Sequence, residues 1–338
     1  MLQFIKNWTL PLAMLAGVIG YFCFATFDFL TPTRPVVKIL IAWLTPFLIF
    51  AQLLLTFCKV EVKELVPQCW QGWLLLVQFL SCLLVACLLL FLPLDEYWRA
   101  ALQGAMVCLI CPTATAAAVI TGKLGGSAAA LTTYTLLSNL LAAIMVPLVF
   151  PLVEPTGIYT LIYNKFMVPL VFPLVEPTDI AFGESFLRIL GKVFPLLLFP
   201  FFTAVLLRRF FPSVHRFLVG LKDMAFYLWA LALIIVMGQT TRSVVEGNIS
   251  VGEELLIAFW ALVVCVLQFW LGKYIGGRHD NRISGGQALG QKNTVLAIWM
   301  AYTYLNPASA IAPGSYVVWQ NIINSCQLWK KRKNEIKY

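Results

Sequence analysis

Long apolar segments follow one another along the whole chain, and each is close to the roughly 20 residues that cross a bilayer as an α-helix. Charged residues make up 12% of the chain, whereas a soluble domain carries about 25%. Because backbone polar groups must pair within a segment in lipid, apolar spans of this length are helical. The sequence therefore predicts an all-α polytopic membrane protein, with a single membrane domain over residues 1–338 inside the lipid bilayer. The ten predicted spans are approximately 8–29, 36–58, 70–93, 98–122, 127–153, 184–211, 222–245, 252–276, 284–306 and 310–329.

The loops between these spans differ in charge on the two sides of the membrane. Sixteen Lys and Arg lie on the side that holds both termini, and seven lie on the other side. Cytoplasmic loops are enriched in Lys and Arg, so the sequence predicts that both termini are cytoplasmic. The expected location of this integral membrane protein is the bacterial inner (plasma) membrane. The net charge of +9 is accordingly a topology signal. No nucleic acid partner is expected, because the basic residues flank helices without interleaved aromatic residues.

The chain shows no convincing catalytic or metal-binding group. Cys108 and Cys111 have the spacing of zinc ligands, yet a second pair of Cys or His is missing, so packing is the preferred interpretation. The run GGQALGQKNT departs from a phosphate-binding loop, which needs its last glycine directly before the lysine. No enzyme activity, cofactor or metal is therefore predicted.

The first unusual membrane segment is the one around Pro112. This proline lies in the middle of the fourth span, where its missing N–H and its ring interrupt the helical hydrogen bonds. Backbone freed at membrane depth must be buried in protein or line a wet cavity, and hydroxyl groups can restore the lost hydrogen bonds. Threonines crowd this part of the chain, including Thr113, Thr115 and Thr121. The alternative interpretation is a simple proline kink packed by small residues.

The second unusual segment runs from Ser284 to Tyr302 and carries Lys292 inside an apolar span. A lysine at the centre of a membrane helix costs about 2.5–3.5 kcal/mol on insertion scales, so it should face protein or water and have a purpose. The alternative is a span that begins at Val295, which would leave the lysine at the interface to snorkel. Residues 295–305 alone are too short to cross, which favours the first interpretation.

An interrupted span occurs in each half of the chain, at the fourth of five positions both times. This pattern is typical of transporters built from two inverted five-helix repeats, in which the discontinuous helices meet near the midplane and their ends bind substrate or ions. The fourth and ninth spans are therefore predicted to be discontinuous and to cross.

Four segments of the sequence carry a resemblance to a known family: CPTATAAAVITGKLGG, TTYTLLSNL, GGQALGQKNT and SYVVWQNIINS. In their order and spacing they resemble the bile acid:sodium symporter superfamily, over nearly the whole chain from Trp8 to about Trp329. The resemblance implies panel spans at about 8–58 and 184–245, and core spans at about 70–153 and 252–329. It also implies alternating access by movement of core against panel. Its implied substrates are organic anions such as bile acids, steroid conjugates, pantoate and related carboxylates.

The resemblance fails at the positions that bind sodium in the family. Three of them, Ala117, Ala118 and Ala288, are alanines here, where the family has Ser, Asn and Glu. A fourth, a glutamine in the family, is Lys292. Three further positions agree with the family pattern: Gln78, Thr135 and Asn293.

These departures suggest that the Lys292 ammonium stands in for bound sodium, because too few oxygen ligands remain for an ion. Transport is then expected to be independent of sodium, and a buried ammonium also makes Lys292 a candidate for proton coupling. Two alternatives stay open: a sodium-coupled symporter of the same family, and a non-transporting membrane receptor. The predicted substrate-binding residues are Thr113, Thr115, Asn293, Thr294 and Asn321, and the predicted cation-site or coupling residues are Lys292, Gln291, Gln78, Thr132, Thr135 and Gln287, beside the helix break at Pro112.

The twelve residues MVPLVFPLVEPT occur twice, at 145–156 and 167–178. Removing Gly157–Thr178 would join Thr156 to Asp179 and leave an uninterrupted fifth span and loop. The repeat is therefore interpreted as a tandem insertion in an extended linker, 154–183, on the extracytoplasmic side. It is expected to have little effect on function, since linkers tolerate insertions best.

Overall fold

The computed structural model describes residues 2–59, 65–114, 116–153, 182–221, 224–246 and 250–335. The predicted site residue Thr115 and the duplicated segment 157–178 lie outside these ranges. Over the described ranges the chain is helical and has no β-strand, which confirms the predicted all-α class. Five helices are long and apolar enough to cross a membrane: Phe29–Cys58, Cys69–Phe91, Ala128–Val153, Ile189–Phe210 and Val251–Gly277.

Thirteen α-helices are described and are numbered here in chain order. Short 3-10 helices occur at Asp28–Thr33 and Pro307–Ala310. The first six α-helices are α1 (Leu2–Thr26), α2 (Arg34–Cys58), α3 (Cys69–Phe91), α4 (Glu96–Ile110), α5 (Ala117–Leu124) and α6 (Ala128–Val153). The others are α7 (Phe182–Phe210), α8 (Pro212–Gly220), α9 (Met224–Val245), α10 (Val251–Gly277), α11 (Arg282–Gly290), α12 (Thr294–Tyr304) and α13 (Ile311–Glu335).

The regions predicted as the fourth and ninth spans each contain two helices. The first region holds α4 and α5, and α4 ends two residues before Pro112. The second holds α11 and α12, which are separated by the polar residues 291–293. These short helices begin with local hydrogen bonds: the Asp95 carboxylate accepts from the Trp98 N–H before α4, and the Asn293 side chain accepts from the Leu296 N–H before α12.

Glycines allow α10 and α11 to pack closely as antiparallel neighbours. A Cβ atom at Gly272 would lie 2.3 Å from the Gly285 carbonyl oxygen, and one at Gly285 would lie 2.4 Å from the Gly272 carbonyl oxygen. A Cβ atom at Gly290 would lie 2.4 Å from the ring of Phe269. No other residue type fits these positions without moving backbone or an aromatic ring, so the glycines bring the end of α11 against α10.

Two sets of helices can be distinguished by their contacts, and the packing of α6 on α7 joins them. Helix α9 packs on α1 and α2, and α2 also packs on α7. The remaining long helices surround the two breaks, with α3 against α4 and α6, and α10 against α4, α11 and α13. The largest cluster of buried apolar side chains joins both groups, through α1–α4, α6, α7, α9 and α12. Large apolar side chains such as Trp43, Phe91 and Trp270 are exposed on the outside, as expected for a surface that faces lipid.

Candidate functional site

The carbonyl groups at the end of α4 are paired with side chains from other helices. In an uninterrupted helix these carbonyls would accept from backbone N–H groups one turn later, which the break removes. Gln78 on α3 donates its amide to the Ile110 oxygen at 2.7 Å and to the Cys111 oxygen at 3.3 Å. The Lys292 ammonium donates to the Leu109 oxygen at 3.0 Å. Burial of the break therefore depends on polar side chains from distant parts of the chain.

The end of α11 is satisfied in the same way. The Thr113 hydroxyl donates to the Ala288 oxygen at 2.7 Å, and the Tyr316 hydroxyl on α13 donates to the Gly290 oxygen at 2.8 Å. Gln268 on α10 links the two ends, because its amide donates to the Tyr316 oxygen at 3.1 Å and to the Cys108 oxygen at 3.4 Å.

The two breaks meet in a short antiparallel bridge between Thr113 and Lys292. The Asn293 N–H donates to the Pro112 oxygen at 2.8 Å, and the Ala114 N–H donates to the Gln291 oxygen at 3.0 Å. The extended backbone of each segment thus pairs with the other, as buried backbone must.

Thr113 and Lys292 exchange roles across this bridge. In a continuous helix the Thr113 N–H would bond to Leu109, and the Lys292 N–H would bond to Ala288, four residues earlier. Here the Lys292 side chain takes the Leu109 oxygen and the Thr113 side chain takes the Ala288 oxygen. The freed Thr113 N–H donates to the Ser138 hydroxyl at 3.2 Å. Each break is therefore completed by the side chain of the opposite one.

Lys292 is held inside the protein, with 1% of its surface exposed. The Gln320 side chain on α13 makes two hydrogen bonds to the Lys292 backbone. It accepts from the Lys292 N–H at 2.9 Å and donates to the Lys292 carbonyl oxygen at 3.3 Å. Within the described ranges the ammonium has one hydrogen-bond acceptor, Leu109, and no carboxylate forms an ion pair with it. The interpretation of Lys292 as a snorkelling interfacial residue is therefore wrong.

The other predicted coupling residues differ in their surroundings. Gln78 reaches the break and also accepts from the Tyr134 hydroxyl at 3.1 Å. Thr132 and Thr135 are buried on α6, and their hydroxyls donate to Ala128 and Leu131 of the same helix. Gln287 is buried on α11 and donates to Asn324 of α13 at 2.9 Å.

The predicted substrate-binding residues also divide. Thr113 and Asn293 belong to the bridge itself, and Thr294 begins α12. Asn321 is half-buried and donates to the Val317 oxygen of its own helix, one turn away, and no contact with the bridge is described for it.

Sequence reasoning missed several polar residues that contact the breaks. The most important is Gln320, which holds the backbone of Lys292. Tyr316 precedes Gln320 by one helical turn and bonds to the end of α11. Ser138 on α6 accepts from the Thr113 N–H, and Gln268 on α10 donates to the Cys108 oxygen of α4. The available signal was the spacing of polar residues inside apolar spans, since each such residue needs a buried partner.

The sodium site implied by the family resemblance does not fit the residues present. Ala117 and Ala288 are fully buried and offer only methyl groups where the family has oxygen ligands. The fourth position holds the Lys292 ammonium, which would repel a cation. Among the described residues, no group of three or more His, Cys, Asp or Glu could hold a metal ion.

No protein-family model matches the sequence, and no curated protein matches it.

Proposed function

We propose that this protein is a secondary transporter of organic anions that works by alternating access without sodium coupling. The observation that carries the proposal is a buried ammonium, with no carboxylate partner among the described residues, where two helix breaks meet. A buried charge is costly unless it is paired, so such an ammonium either binds an anion or gives up its proton. Both events belong to the chemistry of an anion carrier.

The proposed architecture is ten spans in two inverted five-helix repeats, with discontinuous fourth and ninth spans that cross. The arrangement of the breaks supports it, because the two sites repeat each other. Thr113 donates its N–H to Ser138 on α6, the second α-helix after the first break, and Lys292 donates its N–H to Gln320 on α13, the second α-helix after the second break. The proposed panel of α1, α2 and α7–α9 moves against a core of the other helices. The packing of α9 on α1 and α2, and of α8 on α2 and α7, supports the panel, and α6 packs on α7 at its boundary with the core.

The proposed anion site lies beside the bridge, between core and panel. Asn293 caps the start of α12, where the helix dipole is positive, and Lys292 adds a full charge one residue away. The buried Thr294 hydroxyl has no hydrogen-bond partner within the described ranges, so it is available to donate to an anion. The carboxylate or sulfonate of a substrate would lie against the Lys292 ammonium. The apolar part of the substrate would contact the apolar side chains between the proposed core and panel helices.

Uptake by purified protein in proteoliposomes tests the proposal. A thermal-shift screen of bile acids, steroid conjugates, pantoate and other carboxylates, in sodium and in potassium buffer, selects the substrate. Radiolabelled uptake of that substrate is then measured with and without a sodium gradient. We expect equal uptake in both conditions and none in protein-free liposomes.

Other outcomes identify the alternatives. Uptake that requires sodium would instead indicate a sodium-coupled symporter of the same family with a rearranged cation site. Binding without uptake of any ligand would indicate a receptor. In either case sodium-independent transport is rejected. The bacterial inner membrane and the cytoplasmic location of both termini remain part of the proposal, and reporter fusions at each end test them.

A further inference from the structure

A stripe of polar residues runs along one face of α13, within a span that is otherwise largely apolar. Its members are Tyr316, Gln320, Asn324 and Gln327, which follow one another at intervals of four, four and three residues. Residues three or four apart lie on the same face of a helix. This face points at α11 and at the second break, because each member bonds there: Tyr316 to Gly290, Gln320 to Lys292, and both Asn324 and Gln327 to Gln287.

The C-terminal half of the stripe contains polar atoms that have no hydrogen-bond partner within the described ranges. The amide of Gln287 donates to Asn324 at 2.9 Å and to Gln327 at 3.5 Å, so the three side chains lie together. Within the described ranges, Gln287 Oε1, Asn324 Nδ2 and Gln327 Nε2 are buried and have no hydrogen-bond partner. Gln287 is 0% exposed and Asn324 is 3% exposed. Leaving such a group unpaired costs about 1–3 kcal/mol, so a small polar ligand is expected among them.

The chemistry of these atoms identifies the ligand as water. One acceptor and two donors converge, whereas a metal cation would need several oxygens and an anion would need donors alone. Buried water typically makes two to four hydrogen bonds to otherwise unpaired groups, which matches this set. Gln291, four residues after Gln287, adds a further unpaired buried oxygen, Oε1, next to Lys292.

The stripe connects two defined ends. At the C-terminal end of the stripe Gln327 is partly exposed, and the basic residues Lys330 and Lys333 beyond it are exposed. Near the N-terminal end of the stripe, Gln320 bonds to the backbone of Lys292, whose side chain reaches the Leu109 oxygen. The titratable groups that act on the Lys292 ammonium are the thiols of Cys82 and Cys108 and of Cys111 beside the bridge, and Tyr316 donates to the neighbouring Gly290 oxygen.

We propose that α11 and the polar stripe of α13 enclose a hydrated pathway, which admits water and protons from the basic end of α13 to Lys292. The water site between Gln287, Asn324 and Gln327 follows from their unpaired atoms alone. The purpose assigned to it, exchange of the Lys292 proton during the transport cycle, rests on the proposed function. The pathway would let the buried ammonium lose and regain its proton without the core opening.

Cysteine labelling tests the pathway directly. Asn324→Cys is compared with Val317→Cys, a fully buried position two turns earlier on α13 that belongs to the largest apolar cluster, in a Cys69→Ser, Cys326→Ser background that removes the exposed native thiols. The probe is methanethiosulfonate ethylammonium, a small water-soluble reagent, and labelling is read by mass spectrometry. Because thiols in dry apolar surroundings are inert, we expect Asn324→Cys to react at least about tenfold faster than Val317→Cys.

A second pair probes the opposite wall. Gln287→Cys is compared with Leu289→Cys, which is equally buried on α11 but belongs to an apolar cluster. We expect the same order of rates, and this pair decides the matter if Asn324→Cys does not fold. Equal rates within the folded pairs would overturn the pathway. Labelling needs no transport, so a protein that labels as expected but takes up no anion would reject the proposed function and leave the pathway standing.

Discussion

Lys292 is a lysine whose surroundings oppose its charge. It is almost completely buried, its one acceptor in the described chain is a neutral carbonyl oxygen, and its neighbours are thiols. A residue kept only for structure would gain from losing its charge, since buried charges are often replaced by apolar side chains without loss of stability. The cost of keeping this ammonium is therefore evidence of a role that stability does not explain.

Replacing Lys292 by Met separates the role of its charge in transport from its contribution to stability. Met keeps the length of the side chain and removes the ammonium, so relief of the buried charge offsets loss of the bond to Leu109. We expect a melting temperature near that of the unmodified protein and anion uptake reduced to background. Lys38→Met, at an exposed position on α2, should change neither. Uptake close to normal in Lys292→Met would contradict the role of the ammonium.

Gln320 makes a separate prediction because its function is to hold the Lys292 backbone. Gln320→Leu would leave the Lys292 N–H buried without a partner, at a cost of about 1–3 kcal/mol. The adjacent Asn321→Leu is the matched control, since that side chain donates to the Val317 oxygen of its own helix, and its cost should stay within about 0.5 kcal/mol. Denaturation in mild detergent, followed by tryptophan fluorescence, measures both. Similar free energies of unfolding for the two variants would show that the hydrogen bonds of Gln320 to the Lys292 backbone do not stabilise the protein.

Sequence reasoning reached the centre of the site but not its supports. Pro112 and Lys292 were identifiable because a proline and a charge are each costly in an apolar span. Gln320 and Tyr316 were not assigned, since a polar residue in an apolar helix reveals that it needs a partner but not which one. Thr132 and Thr135 illustrate the reverse problem: their hydroxyls are buried as expected, yet they bond within α6.

At the level of elements, the position of the second break depends on how closely α10 and α11 approach. Their contact is backbone on backbone at Gly272 and Gly285, which holds the end of α11 beside Gln268 and Tyr316. The sequence predicted an interruption here but not this packing. A glycine in a helix indicates close approach without naming the partner helix.

Gly272→Ala is expected to separate these two helices. Its new methyl group would lie 2.3 Å from the Gly285 oxygen, so the backbone must shift, and overpacking of this kind typically costs about 1–3 kcal/mol. Gly72→Ala is the control, because a Cβ atom there meets nothing within 4 Å, and a helical alanine should stabilise by about 0.5–1 kcal/mol. Thermal unfolding of the two variants should move in opposite directions. An unchanged unfolding temperature in Gly272→Ala would contradict the close contact between α10 and α11.

For the whole molecule, the apolar pattern predicted a helical membrane protein, and the described helices agree. The predicted number of ten spans stays a prediction, since five helices meet the length and hydropathy expected of a complete crossing. Two of the other predicted spans, the fourth and the ninth, are harder to recognise for a physical reason. Helices α4 and α5, like α11 and α12, are short because polar and proline residues divide them, and a crossing made of two pieces has no single apolar stretch of full length.

The duplicated segment leads to a prediction about the intact protein. Deleting Gly157–Thr178 joins Thr156 to Asp179 and restores a simple linker between the two halves. Uptake in proteoliposomes should remain within about twofold of the unmodified protein, because insertions in linkers are tolerated when they avoid the core. Loss of uptake with unchanged expression would assign the segment a part in gating.

The exchange of carbonyl partners between Thr113 and Lys292 also has a consequence for biosynthesis. Leu109 and Lys292 are 183 residues apart in the chain, so at about 5–20 residues per second the ribosome adds the lysine roughly 10–40 s after the carbonyl that it will pair with. Throughout that interval the nascent first half carries a helix end whose native partner does not yet exist. The growing chain therefore needs a temporary partner for this end, from the insertion machinery or from water, until its second half arrives.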